Sequence, residues 1–93
     1  MTSNLAALAP TIQSISPHKV PLGWEGIVKI HGSGFDRGSI VKFNDATPEV
    51  IDQSAELLAV EIHPDLTANR GRHKVVVHTT EGGMTNEVEF IIS

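Results

Sequence analysis

Apolar and polar residues alternate along much of this chain, and the alternation is sharpest over residues 26–35. Val28 and Ile30 interleave with Lys29 and His31, the period of two that half-buries a strand. Gly32 and Gly34 then interrupt the run, since residues without a Cβ accept positive φ. Phe35 follows at once as a large apolar residue at a fixed distance from Ile30. The pattern predicts a strand that ends in a double-glycine bend and sets an aromatic side chain into the core beside it.

The same rule reads the flanks. Ile12 and Ile15 bracket a short strand that Pro17 ends or bends, and residues 21–24, Pro-Leu-Gly-Trp, carry turn chemistry. After Phe35, Asp36-Arg37-Gly38 forms a turn. Residues 39–43 then form a strand with Val41 and Phe43 on one face and Ile40 and Lys42 on the other. Asn44-Asp45 turns the chain into a short strand over 47–51. Residues 54–62 carry two patterns: two helical turns capped by Ser54, or a strand with Leu58, Val60 and Ile62 inward. The strand is preferred, because the rest of the chain offers only strands to pack against and Pro64 stops the run early. Residues 65–71 read as a polar loop, 72–79 as a strand with Val75 and Val77 inward, Glu81-Gly82-Gly83 as a tight turn, and 84–92 as the last strand, with Val88 and Phe90 inward. About seven short strands separated by turn signals, with no helix, predict an all-β antiparallel sandwich.

Composition narrows the picture. The 93 residues suffice for one domain and not for two, and 40% hydrophobic residues support a core rather than disorder. A net charge of −4 counts against a nucleic-acid binder. The absence of cysteine removes a disulfide framework, a thiolate zinc site and a cysteine nucleophile. Residues 1–9 show no sustained period and read as a tail or as an arm docking through Leu5 and Leu8; residues 10–93 form the domain. The first residues lack a basic leader region, no stretch is long enough to span a membrane, and no N-glycosylation sequon occurs.

Taken in order, several short motifs form a recognisable series: residues 10–17, Pro-Thr-Ile-Gln-Ser-Ile-Ser-Pro; Pro21-x-Gly23; Val28-x-Ile30-x-Gly32-x-Gly34-Phe35; Val41-x-Phe43; Leu58-x-Val60-x-Ile62 near Pro64; Val75-x-Val77 before Gly82-Gly83; and Asn86-x-Val88-x-Phe90. In this series, over residues 10–92, the chain resembles the IPT/TIG domain, an immunoglobulin-like fold of the early-set type. It departs from the family where Trp24 stands at a position commonly glycine. The resemblance implies an immunoglobulin-like antiparallel sandwich and a non-catalytic module without a cofactor. It also implies roles as a spacer, a protein-contact surface or a glycan-associated module, and in some relatives dimerisation or DNA contact.

Little in the sequence points to chemistry. Gly32-Ser33-Gly34 lacks the third glycine and the following helix of a dinucleotide fingerprint. The five histidines form no HxH or HxxxH pair. His31 and His78 are expected to point outward from opposite sheets, and the histidines read as solvated rather than metal-binding. Neither a calcium loop nor a nucleophile elbow is present. Arg70, Arg72, His73 and Lys74 read as a solvated strand entry.

Two features stand out. Trp24, the sole tryptophan, is expected on a loop, either as a binding anchor or as a lid over the end of the core. The second is the outward face predicted for Ile40, Lys42, Lys74, Val76, His78, Glu87, Glu89 and Ile91. It reads either as ordinary β-propensity with cross-strand Lys–Glu pairs or as a partner face with an apolar middle and a charged rim. The expectation is a non-enzymatic module that binds a protein partner or its own copies. The setting expected first is an accessory piece of a larger assembly, such as a phage capsid or tail decoration. The alternative is a spacer or glycan-binding module of a bacterial cell-surface or extracellular protein.

Overall fold

The computed structural model describes residues 10–80 and 82–93. Their strands are β1 (Thr11–Ser16), β2 (Lys19–Val20), β3 (Gly26–Ser33), β4 (Ile40–Phe43), β5 (Glu49–Gln53), β6 (Leu57–Ile62), β7 (Gly71–His78) and β8 (Val88–Ile92), with a 3-10 helix at Pro64–Thr67 before β7. They form two four-stranded sheets, ordered β1-β3-β6-β5 and β2-β8-β7-β4. Neighbours run antiparallel except β2, which lies parallel to β8. This is the immunoglobulin-like sandwich.

β3 is central to the first sheet. Val28 and Ile30 lie opposite Val60 and Leu58 of β6, and all four are buried between the sheets. Phe90 and Ile92 of β8, Val75 and Val77 of β7, and Val41 and Phe43 of β4 close the core from the other side. Phe43 makes an edge-to-face contact with Phe90 at 5.1 Å. Every residue expected inward is buried except Val88, which is half-buried against the core. Ile12 and Ile15 are three apart and would point to opposite faces of a regular strand. A register shift between Ile12 and Ser14 resets the alternation, so both face inward.

Several expectations are corrected. Gly32 does not leave the strand: it stays in β3, paired with Ile12. A Cβ there would lie 2.0 Å from the Thr11 carbonyl oxygen and 2.8 Å from the Phe35 ring, so the position is closed by close approach of backbone and aromatic. Gly34, with φ of 78°, alone makes the bend, and Phe35 is buried. The strand expected over 47–51 runs two residues later, and the one expected from Met84 begins at Val88, Met84 making a single bridge to His78. The loop expected after Pro64 contains the 3-10 helix with Thr67 wholly buried. His73, expected in solvent, is buried on the inner face of β7 in step with Val75 and Val77. Strand β2 went unforeseen, because two residues between prolines carry no period to read.

Two contacts close sheet edges. The Ile12 N–H donates to Asn86 Oδ1 at 2.9 Å, and Asn86 Nδ2 donates to the Ile12 carbonyl at 3.1 Å. One side-chain amide thus satisfies both main-chain groups of a residue in edge strand β1 and ties it to the segment entering β8. At edge strand β4, the Phe43 N–H and carbonyl are both bonded to Ala46, at 2.8 and 3.0 Å.

Candidate interaction face

Inward packing of Val41, Phe43, Val75, Val77, Phe90 and Ile92 fixes the opposite face of the second sheet by strand period. Ile40 lies opposite His78, Lys42 opposite Val76, Lys74 opposite Glu89, and Arg72 opposite Ile91. Lys19 of β2 also pairs with Ile91. The bridge between Met84 and His78 adds a methionine that is 61% exposed, on the side of His78 away from Ile40, which is 45% exposed. Val76, His78 and Ile91 are half-buried. The groove here is open and shallow, with Val76 and Met84 along it and Lys42, Lys74, His78, Glu87, Asn44 and Asp45 around them.

The fold therefore brings Ile40, Lys42, Val76, His78 and Ile91 onto one surface. Trp24 lies elsewhere, and Leu5 and Leu8 lie outside the described residues. Met84 and Lys19 belong to the same face but were not singled out from the sequence, and Arg72, read there as part of a solvated strand entry, joins them; for Met84 the signal lay in its position across the turn from His78.

Of the expected cross-strand Lys–Glu pairs, Lys74 and Glu89 share register without an ion contact within 4.0 Å. His63 Nε2 lies 3.3 Å from Glu61 Oε1 on the other sheet, and none of Lys19, Lys42, Arg72 and Lys74 forms an ion pair within 4.0 Å among the described residues. Lys19, Lys42, Arg72 and Lys74 therefore present their charges to solvent, and exposed pairs left open in this way cost little stability.

Trp24 follows Pro21 in a turn closed by its own N–H to the Pro21 carbonyl. The Thr67 hydroxyl donates to the Trp24 carbonyl at 2.7 Å, and the Gly23 N–H donates to the Thr67 carbonyl at 2.9 Å. These bonds fold the indole back over Gly26, where a Cβ would lie 2.5 Å from the ring, and Trp24 packs, half-buried, against the core.

His73 is the one buried histidine among the described residues. Its ring stacks on Phe43 at 5.4 Å. Asn44 Oδ1 accepts the Lys74 N–H, so its Nδ2 faces His73 and donates to Nδ1 at 2.6 Å. His73 Nε2 then donates to the Asn69 carbonyl at 2.9 Å. Both ring nitrogens are occupied, Nδ1 at the turn of Asn44, whose φ is 55°, and Nε2 at the loop carrying Asn69. Among the described residues no cluster of three or more histidine, aspartate or glutamate side chains is placed to hold a metal ion, and no helix is long and apolar enough to cross a membrane.

Comparison with known proteins agrees with this architecture. A comparison with curated protein sequences gives no match. Among solved structures, a gamma-CGTase from alkalophilic Bacillus clarkii matches with a TM-score of 0.74 at 26% identity, over 90% of this chain and 12% of that enzyme. An auxiliary nutrient binding protein from Bacteroides thetaiotaomicron matches with a TM-score of 0.66 at 18% identity, over 91% of this chain and 21% of the other; that identity shows the fold alone. The chain thus spans a small part of the length of both. The IPT/TIG domain model matches residues 10–92, nearly the whole of the two-sheet unit, and the chain belongs to the IPT/TIG domain family.

Proposed function

We propose that this domain is a non-catalytic packing module that seats on a protein surface through the outer face of the β2-β8-β7-β4 sheet. The observation that carries the reading is the composition of that face: exposed Ile40 and Met84 and half-buried Val76, with cations that close no ion pair among the described residues. An apolar middle with a charged rim is the anatomy of a contact surface. The bonded main-chain groups of Ile12 and Phe43 hinder addition of a foreign strand at β1 and β4, which favours docking by the face.

The setting proposed first is an accessory piece of a larger assembly, such as a phage capsid or tail decoration. A spacer within a longer polypeptide is the second reading, favoured by the match to a limited segment of a gamma-CGTase. Lysine footprinting tests the shared claim in either setting. Reductive methylation of the native assembly is expected to spare Lys42 and Lys74 relative to Lys29 on the opposite sheet, whereas in the isolated domain all three label alike. Equal labelling in both states removes the reading. The glycan role centred on Trp24 finds less support, because the indole lies over Gly26. Titration with an oligosaccharide panel is expected to leave Trp24 fluorescence flat.

A further inference from the structure

The nine residues before Pro10 carry no charged side chain and include two leucines, Leu5 and Leu8. The structure fixes the point from which this segment departs. Pro10 is buried, and a Cβ on Gly83 would lie 2.9 Å from Pro10 Cδ, so the proline ring sits against the residue that precedes Met84. The two bonds between Ile12 and Asn86 hold the following residues along the same stretch of chain. The chain therefore enters the domain beside the groove on the outer face of β2-β8-β7-β4, where Met84 and half-buried Val76 are lined up with Lys42, Lys74, His78 and Glu87.

We propose that residues 1–9 of the same chain fold back across this groove, with Leu8 on Met84 and Leu5 on Val76, and shield it until a partner protein takes their place. This rests on the reading of the face as a contact surface and adds how that surface is governed. The reach is sufficient: an extended chain advances about 3.3 Å per residue, which puts Leu8 within about 7 Å of Pro10 and Leu5 within about 17 Å. Met84 adjoins Gly83, and Val76 stands two residues along β7 from His78, the bridge partner of Met84. The tether holds the segment at an effective concentration on the order of millimolar, so a small apolar contact is enough to seat it. A segment without charged side chains is also indifferent to the mixed charges around the groove, where Lys42 and Lys74 stand among Asp45 and Glu87. The lysine ammonium groups stay in solvent beside the arm, so labelling of the isolated domain is unaffected by it.

Methyl NMR of the whole chain tests this by comparing wild type with a variant carrying Leu5→Asp and Leu8→Asp. The Met84 Cε methyl and the Val76 methyls are expected to shift between the two proteins by the same amount at every protein concentration. Nuclear Overhauser contacts from Leu8 to Met84 are expected in wild type. The methyls of Val60 and Val77, buried between the sheets, are expected to hold their positions and so report that the variant is folded. Identical Met84 and Val76 signals in the two proteins overturn the proposal. A difference that grows with protein concentration also overturns it, since that pattern belongs to the arm of a second copy. Either failure leaves the lysine-footprinting result standing, because protection of Lys42 and Lys74 in the native assembly does not depend on where residues 1–9 lie.

Discussion

Asn86 does more for this fold than its exposed position in sequence suggests. Its amide serves both main-chain groups of Ile12, so Asn86→Ala leaves a buried edge-strand residue without two partners. A loss of about 1–3 kcal/mol is expected, read as a lower urea midpoint with an unchanged slope. Aspartate is not expected to rescue it, because it restores only the acceptor and sets a carboxylate against the Ile12 carbonyl. Two glycines make a second contrast. A Cβ at Gly32 meets the Thr11 backbone of a paired strand, whereas one at Gly26 meets only the Trp24 ring. Gly32→Ala is therefore expected to cost about 3 kcal/mol or more or to prevent folding. Gly26→Ala is expected to cost less and to shift Trp24 emission to the red as the indole swings outward. An unshifted spectrum would show that the ring is not held there.

At the scale of elements, the decisive property is strand register. Because the period is two, a one-residue slip in β4 or β7 would exchange the core set for the outer set. Ile40→Lys with Val76→Lys is expected to shift the melting temperature by only a few degrees, since Ile40 is exposed and Val76 half-buried. Val41→Lys with Val77→Lys, one residue along each strand and buried to within 1%, is expected to abolish folding by placing charges in the core. Circular dichroism on heating separates the two pairs, and similar melting of both would refute the register. The 3-10 helix has its own role. Thr67 ties it to the Trp24 turn, so Thr67→Val is expected to cost about 1–3 kcal/mol and to loosen Trp24, read as a change in its emission.

At the scale of the whole molecule, stability depends on one small core shared by two sheets. Phe90 lies at its centre against Phe43, which in turn stacks on His73. Phe90→Ala is expected to cost about 3–5 kcal/mol. A domain of this size holds only about 5–15 kcal/mol in total, so the variant is expected to be partly unfolded at 37 °C by near-ultraviolet circular dichroism.

The alternation of Val28, Ile30, Val41, Phe43, Val75, Val77 and Phe90 was enough to fix the sandwich, its inward residues and the face carrying Ile40, Lys42, Val76, His78 and Ile91. Side-chain period is a local property that burial of one face must obey. What lay beyond the sequence depended on groups distant along the chain. Whether Lys74 and Glu89 touch, which edge Asn86 closes, why Gly32 must be glycine and where the Trp24 ring rests are set by how the second sheet and the 3-10 helix approach the first. His73 followed the period of β7 inward despite its charged neighbours, because its Asn44 and Asn69 partners exist only once the turns around it have folded.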